Sequence, residues 1–280
     1  MCHILAGAEL VNAVPGTEWP WSQTPFACHS DPRWFHPSPA HEEALARLLF
    51  LVECQRRFGI LLGESGTGKT LLMKVLLHEL PSHRSAGRYV DCYGLEPAEL
   101  LSELADALEL PPMGELTLSQ SFRRVHDALQ ALHLTRQRLV VCFDHLEHAA
   151  DETLIALQRL IHTGTDRFRS VTFLVACQSR DVGRIAPLVE EHAELRVELP
   201  RLNLEETVWY VSDLLQKAGW SDRAFDLQAI EAIYAKSRGL PREINRLCEL
   251  SLLAAVSDRR DRIGLDVVEA ASAEVLRLCS

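Results

Sequence analysis

The sequence has no apolar run near the roughly 18 residues that a membrane-crossing helix needs. Its N-terminus, "MCHILAGAELVNAV", has no basic segment ahead of the apolar stretch and so makes a poor secretory signal. A cytoplasmic chain is the expectation. No two cysteines are spaced Cys-x-x-Cys; Cys54, Cys142, Cys177 and Cys248 sit singly in apolar contexts, as small buried hydrophobes in a reducing compartment do. Neither Cys28, His29 and His36 nor His145 and His148 form a four-ligand pattern, so a metal centre built from protein side chains alone is not expected. Positive charge is also scarce. A formal net charge of -10 disfavours duplex nucleic acid as a partner of the whole surface. The basic stretches "QRR" at 55–57 and "DRRDR" at 258–262 are left as solvated surface or local contacts with an acidic partner. No internal repeat is visible.

What is present is the pattern of a folded protein in two parts. A chain of 280 residues with 47% hydrophobic and 24% charged residues is long and apolar enough for a medium domain plus a smaller one. Residues 1–40 hold Pro15, Pro20, Pro25, Pro32, Pro37 and Pro39 with Trp19, Trp21 and Trp34, which predicts an irregular arm because proline blocks long helices and central strands. The helix pattern "HEEALARLLFLVECQRR" follows, then a short apolar strand at 58–62, a glycine-rich loop, and a helix over about 69–80. Four further strand patterns lie near 88–93, 138–144, 170–178 and 194–199, with helical stretches between them, including "PAELLSELADALEL" and "SFRRVHDALQAL". That alternation predicts an α/β domain over 41–200 with a parallel sheet covered on both faces. After Pro200 the pattern is helical only. Asn203 with Glu206 marks a capped start, Gly219 a stop, and Pro241 a first helical position, giving a small helical domain over 201–280.

"GESGTGKT", Gly63, Glu64, Ser65, Gly66, Thr67, Gly68, Lys69 and Thr70, fits the phosphate-loop pattern G-x-x-x-x-G-K-[ST] in full. Such a loop turns its backbone N–H groups inward around the α- and β-phosphates, and the following helix aims its N-terminal N–H groups at the same oxygens. Lys69 is placed to reach the β/γ-phosphates, and the Thr70 hydroxyl to sit on magnesium. Asp144 ends the strongest later strand, where a second magnesium-site carboxylate belongs. Its alternative role is capping the next helix. Gln178 ends the strand after that and is a candidate for the γ-phosphate or the attacking water. His145 follows Asp144, and Glu147 is a second acidic group that turns inward if a helix begins there.

"TPFACHSDPRWFHPSPAHEEALARLLF", the phosphate loop, "LVVCFD", "FLVACQ", "LPRLNLEET" and "SRGLPREINRLCELSLLAA" together resemble the ExeA/GspA-type ATPases over about residues 21–258. These form a branch of the AAA+ superfamily linked to secretion-pathway assembly, with relatives that act as transposition helpers. The resemblance implies a phosphate-loop fold with a helical lid, binding of ATP or ADP with Mg2+, and Arg242 as the lid residue that senses the γ-phosphate. It also implies nucleotide-dependent association with a protein partner or with itself. Two positions depart from the family. His145 stands where glutamate is usual, and Glu191, His192 and Ala193 replace the Gln-Arg-Ile that offers an intersubunit arginine; Arg184 and Arg196 lie outside that motif. Weak intrinsic hydrolysis is therefore expected, since loss of base or water-positioning chemistry costs roughly 10²- to 10⁴-fold. The full-length secretion members add a membrane helix and a periplasmic domain. This chain stops at Ser280, so contact with a membrane is expected only through another protein. Two alternatives stay open: a non-hydrolysing nucleotide-dependent scaffold, and a DNA-linked regulator, which the net charge disfavours.

Overall fold

The computed structural model describes residues 24–27, 30–81, 85–114, 116–135, 137–163, 170–221 and 223–278. Most of the proline- and tryptophan-rich arm, with Cys28 and His29, lies outside them. Two units are distinguished, Ser30–Pro200 and Arg201–Ser280, the second including residues 24–27.

The first unit begins with a 3₁₀ turn at Pro32–Trp34 and helix α1, Pro39–Glu53. Ser38 caps α1 by accepting the His41 N–H, and Pro39 fills a first-turn position that needs no donor. The remaining elements alternate: β1 Phe58–Gly63, α2 Lys69–Glu79, β2 Ser85–Asp91, α3 Pro97–Ala107, α4 Leu118–Thr135, β3 Arg138–Asp144, a 3₁₀ turn Leu146–His148, α5 Asp151–Thr163, β4 Val171–Gln178, a 3₁₀ segment Ser179–Ile185, α6 Ala186–His192 and β5 Leu195–Leu199. Among the described residues the five strands are parallel, in the order β2-β3-β4-β1-β5.

Both faces of the sheet are buried, which is why β1, β3 and β4 read as continuous apolar runs. Phe58, Ile60 and Leu62 pack with Leu100, Leu104, Val125 and Leu157 from α3, α4 and α5. Leu61, pointing the other way, packs with Leu48 and Leu51 of α1 and Leu72 and Leu76 of α2. Cys142 and Cys177 are core residues of opposite faces, in keeping with their apolar sequence contexts. Strand β2 starts three residues earlier than its sequence pattern suggests and stops at Asp91. Pairing with β3, from Ser85 opposite Arg138 to Asp91 opposite Asp144, extends it through small residues of low strand propensity.

In the second unit the helices are α7 Leu204–Lys217, α8 Leu227–Ser237, α9 Pro241–Ser257 and α10 Leu265–Leu278. The Asn203–Glu206 capping box forms at the start of α7, and Asp226 caps α8 by accepting the Ala229 N–H. Helix α10 packs on α8 and α9, and Val211, Leu215, Ile233, Ile244, Cys248, Ile263 and Val268 are buried. Gly239 is required between α8 and α9. Its φ is +73°, its carbonyl accepts the Leu202 N–H at 2.9 Å, and a Cβ there would stand 1.8 Å from the Leu202 carbonyl oxygen.

Candidate functional site

Parallel register gathers the candidate residues at one edge of the sheet. Gly63 at the end of β1 lies opposite Gln178 at the end of β4, and Asp91 at the end of β2 lies opposite Asp144 at the end of β3. In open α/β sheets, ligands bind outside these carboxyl ends. The chain leaves β1 through the 63–70 loop and enters α2 at Lys69, with Gly68 at φ +99° as the turn into the helix. Space at Gly68 is also short, since a Cβ would come within 3.2 Å of His41 Nε2.

Lys69 is buried, and its ammonium donates to the carbonyls of Gly63 (2.8 Å) and Glu64 (2.9 Å), which belong to two successive peptides. The Thr67 hydroxyl closes the loop by donating to the Glu64 carbonyl at 2.9 Å. Next to Lys69, the Thr70 hydroxyl donates to Asp144 Oδ2 in a short hydrogen bond. Asp144 is fully buried. Its Oδ2 also accepts from the Tyr89 phenol at 3.0 Å, while Oδ1 accepts the His145 N–H at 3.0 Å. Burial and the charge of Asp144 push the Tyr89 phenol well above its usual range, so it stays a donor. Asp144 therefore does not cap the following turn; its carboxylate faces the phosphate loop.

One brace of the loop escaped the reading of the sequence. His41, in the first turn of α1, is buried with Nδ1 2.7 Å from the Ser38 hydroxyl and Nε2 2.9 Å from the Thr67 carbonyl. A carbonyl only accepts, so Nε2 carries the proton and Nδ1 accepts from Ser38. The available signal was a histidine three residues after a Ser-Pro helix cap, a polar residue on the side of α1 that faces the protein.

The two residues after β3 with acid–base chemistry diverge. His145 takes a left-handed conformation, φ +55° and ψ +33°, unusual for a side chain other than glycine or asparagine. Its ring is 39% exposed and its Nδ1 stands 3.0 Å from Asp91 Oδ1, toward the end of β2. Glu147, in the 3₁₀ turn, is only 3% exposed. Its Oε1 accepts the Gln178 N–H at 3.2 Å, while Oε2 has no hydrogen-bond partner. Burial first, then the charge and hydrogen bond of Glu147, push the neighbouring Cys177 thiol up to about 12, with Lys69 acting in the opposite direction. Arg184 holds this turn in place. Its guanidinium donates to the carbonyls of Glu147 and, at 2.7 Å, Ala149, and pairs with Asp151 at 2.8 Å. Arg196 is exposed on β5. Arg242 belongs to the helical unit, exposed in the first turn of α9.

The donor set fits a magnesium–nucleotide. A hydroxyl and a carboxylate stand side by side, as hard-cation ligands must, next to a buried ammonium and a loop leading into a helix N-terminus. Residues 52–181 match the family described as AAA domain. General secretion pathway protein A of Aeromonas hydrophila is 29% identical over 258 residues, which are 91% of this chain and 47% of the relative. Residues 52–181 are thus similar to an AAA domain, and the chain is similar to General secretion pathway protein A, spanning about half the length of that curated relative. Solved AAA+ structures share the fold: the Aeropyrum pernix ORC1 protein in complex with DNA (TM-score 0.66, 19% identity, 86% of this chain and 67% of that one) and Cdc6p from Pyrobaculum aerophilum (0.66, 19%, 88% and 71%). The Thermotoga maritima RuvB Holliday junction branch migration motor aligns more loosely (0.55, 17%, 84% and 68%). The AAA+ parallel sheet covered by helices and followed by further helices is thus common to this chain and to them. Among the described residues no helix is long and apolar enough to cross a membrane.

Proposed function

We propose that this chain binds ATP or ADP with Mg2+ at residues 63–70 and works as a nucleotide-dependent switch in the assembly or regulation of a protein complex, with weak intrinsic hydrolysis. The observation that carries the reading is the Thr70–Asp144 pair beside Lys69. Thr70 and Asp144 would hold the magnesium, which when bound withdraws charge from the phosphates. Lys69 exchanges its two loop carbonyls for phosphate oxygens, and the N-terminal N–H groups of α2 cradle the others. Arg242 is assigned the sensing of the terminal phosphate by the helical unit. A second copy of the chain or another protein reads the bound state, and the acidic balance keeps nucleic acid a minor alternative.

Two observations support slow turnover. The position after Asp144 is a histidine engaged with Asp91, and the acidic group beside it, Glu147, is buried with one carboxylate oxygen unpartnered. We assign what hydrolysis there is to Glu147 positioning water, with Gln178 fixing the carboxylate through its N–H. The same engagement of His145 favours a second reading, a scaffold that binds nucleotide without turning it over.

Calorimetry tests the binding assignment. K69A should weaken ATP by about 10- to 100-fold, the worth of charged hydrogen bonds, and R242A should weaken ATP more than ADP. Equal ATP affinity in native and K69A protein would remove the loop from the account, and equal effects of R242A on both nucleotides would remove the sensor role.

A further inference from the structure

The helices α5 and α6 end beside each other, and their last turns carry His162, Glu191 and His192. One ligand atom from each lies within 4.8 Å of the others. His162 Nδ1 is 3.5 Å from Glu191 Oε1, and His192 Nε2 is 3.7 Å from Glu191 Oε2. Ligands about 2.0–2.1 Å from a tetrahedral zinc ion stand roughly 3.3 Å apart, so small side-chain movements suffice to close the three around one ion. The His192 side chain is 8% exposed, yet its Nε2 is buried without a hydrogen-bond partner. A buried ring nitrogen near a carboxylate, with no partner at hydrogen-bond distance, is a group that a bound ion would satisfy. Gln158, one turn before His162 on α5, donates to Glu191 Oε2 at 3.2 Å and holds the carboxylate, as outer-shell groups do at metal centres. The thirteen-residue α5 also directs its negative end here, which favours a cation.

We propose that His162, Glu191 and His192 form a site for a divalent transition metal, with zinc as the best match. Two imidazoles and a carboxylate suit zinc better than magnesium or calcium, which prefer all-oxygen sets. A fourth position is left for water. The site is separate from the phosphate loop: α5 and α6 lead toward the starts of β4 and β5, whereas the loop is at the strand ends. The absence of a four-ligand sequence pattern concealed it, because its ligands come from two helices. Arg184, in the 3₁₀ segment before α6, ties the start of α5 to the Glu147 turn, and a metal at the far ends would join α5 to α6.

The test is zinc titration of the full chain against a chromophoric chelator in excess Mg2+, with Co2+ absorption as a report of ligand type. Native protein and K69A should each bind one equivalent in this site. H162Q and E191Q, both at exposed positions, should each weaken it by at least the roughly tenfold that loss of an outer-shell partner costs, with helical circular dichroism unchanged. Zinc affinity and stoichiometry identical in native, H162Q and E191Q proteins would overturn the proposal. So would a cobalt spectrum with thiolate charge-transfer bands that persists in H162Q.

Discussion

In the helical unit three of the four described helices carry their own boundaries: Asn203 and Glu206 start α7, Asp226 starts α8, and Pro241 opens α9 after Gly239. In the α/β unit the residues that matter most are set by partners far away in sequence. Thr70 meets Asp144, Glu147 meets Gln178, and His41 meets Thr67. The difference teaches where each unit is fragile. Local signals make the helical unit depend on single backbone positions, whereas the candidate site depends on several cross-links that each bear part of the load.

The largest effect should come from the helical unit. Gly239→Ala must displace the Leu202 carbonyl from a 1.8 Å overlap and hold a positive φ, so a loss of about 3 kcal/mol or more is expected, measured as a shift of the denaturation midpoint. A loss no larger than that of an ordinary surface substitution would break the contrast. A smaller effect is expected in the α/β unit from Arg184→Ala. It leaves two carbonyls of the Glu147 turn without their donor, for about 1–3 kcal/mol. Its sharper readout is hydrolysis, which should fall while ATP affinity stays near native, because the turn and not the loop is loosened. Equal losses in affinity and turnover would mean that Arg184 supports the loop as well.

The legible parts of the molecule follow the same division. The strands, the helix caps and the phosphate loop were readable because propensity, capping and spacing are local. Asp144 was readable because it ends an apolar run, and the parallel order of the strands then accounts for its meeting Thr70. His41 was not readable as a brace, since nothing near it in sequence announces the Thr67 carbonyl. The burial of Glu147 depended on the left-handed turn at His145, a conformation that no residue type there demands. Helices α5 and α6 have ordinary sequences, and only their packing brings His162 beside Glu191 and His192.

The central claim is that the loop and Asp144 hold magnesium–nucleotide while Glu147, and not His145, supports what turnover there is. Phosphate release by purified native, H145A, E147Q and K69A proteins tests it most directly. The account predicts slow native turnover, about 10²- to 10⁴-fold below that of a site with an optimally placed base, retained in H145A and reduced in E147Q to the K69A background. Turnover lost in H145A and retained in E147Q would contradict it, and native turnover equal to the K69A background would leave the scaffold reading in its place.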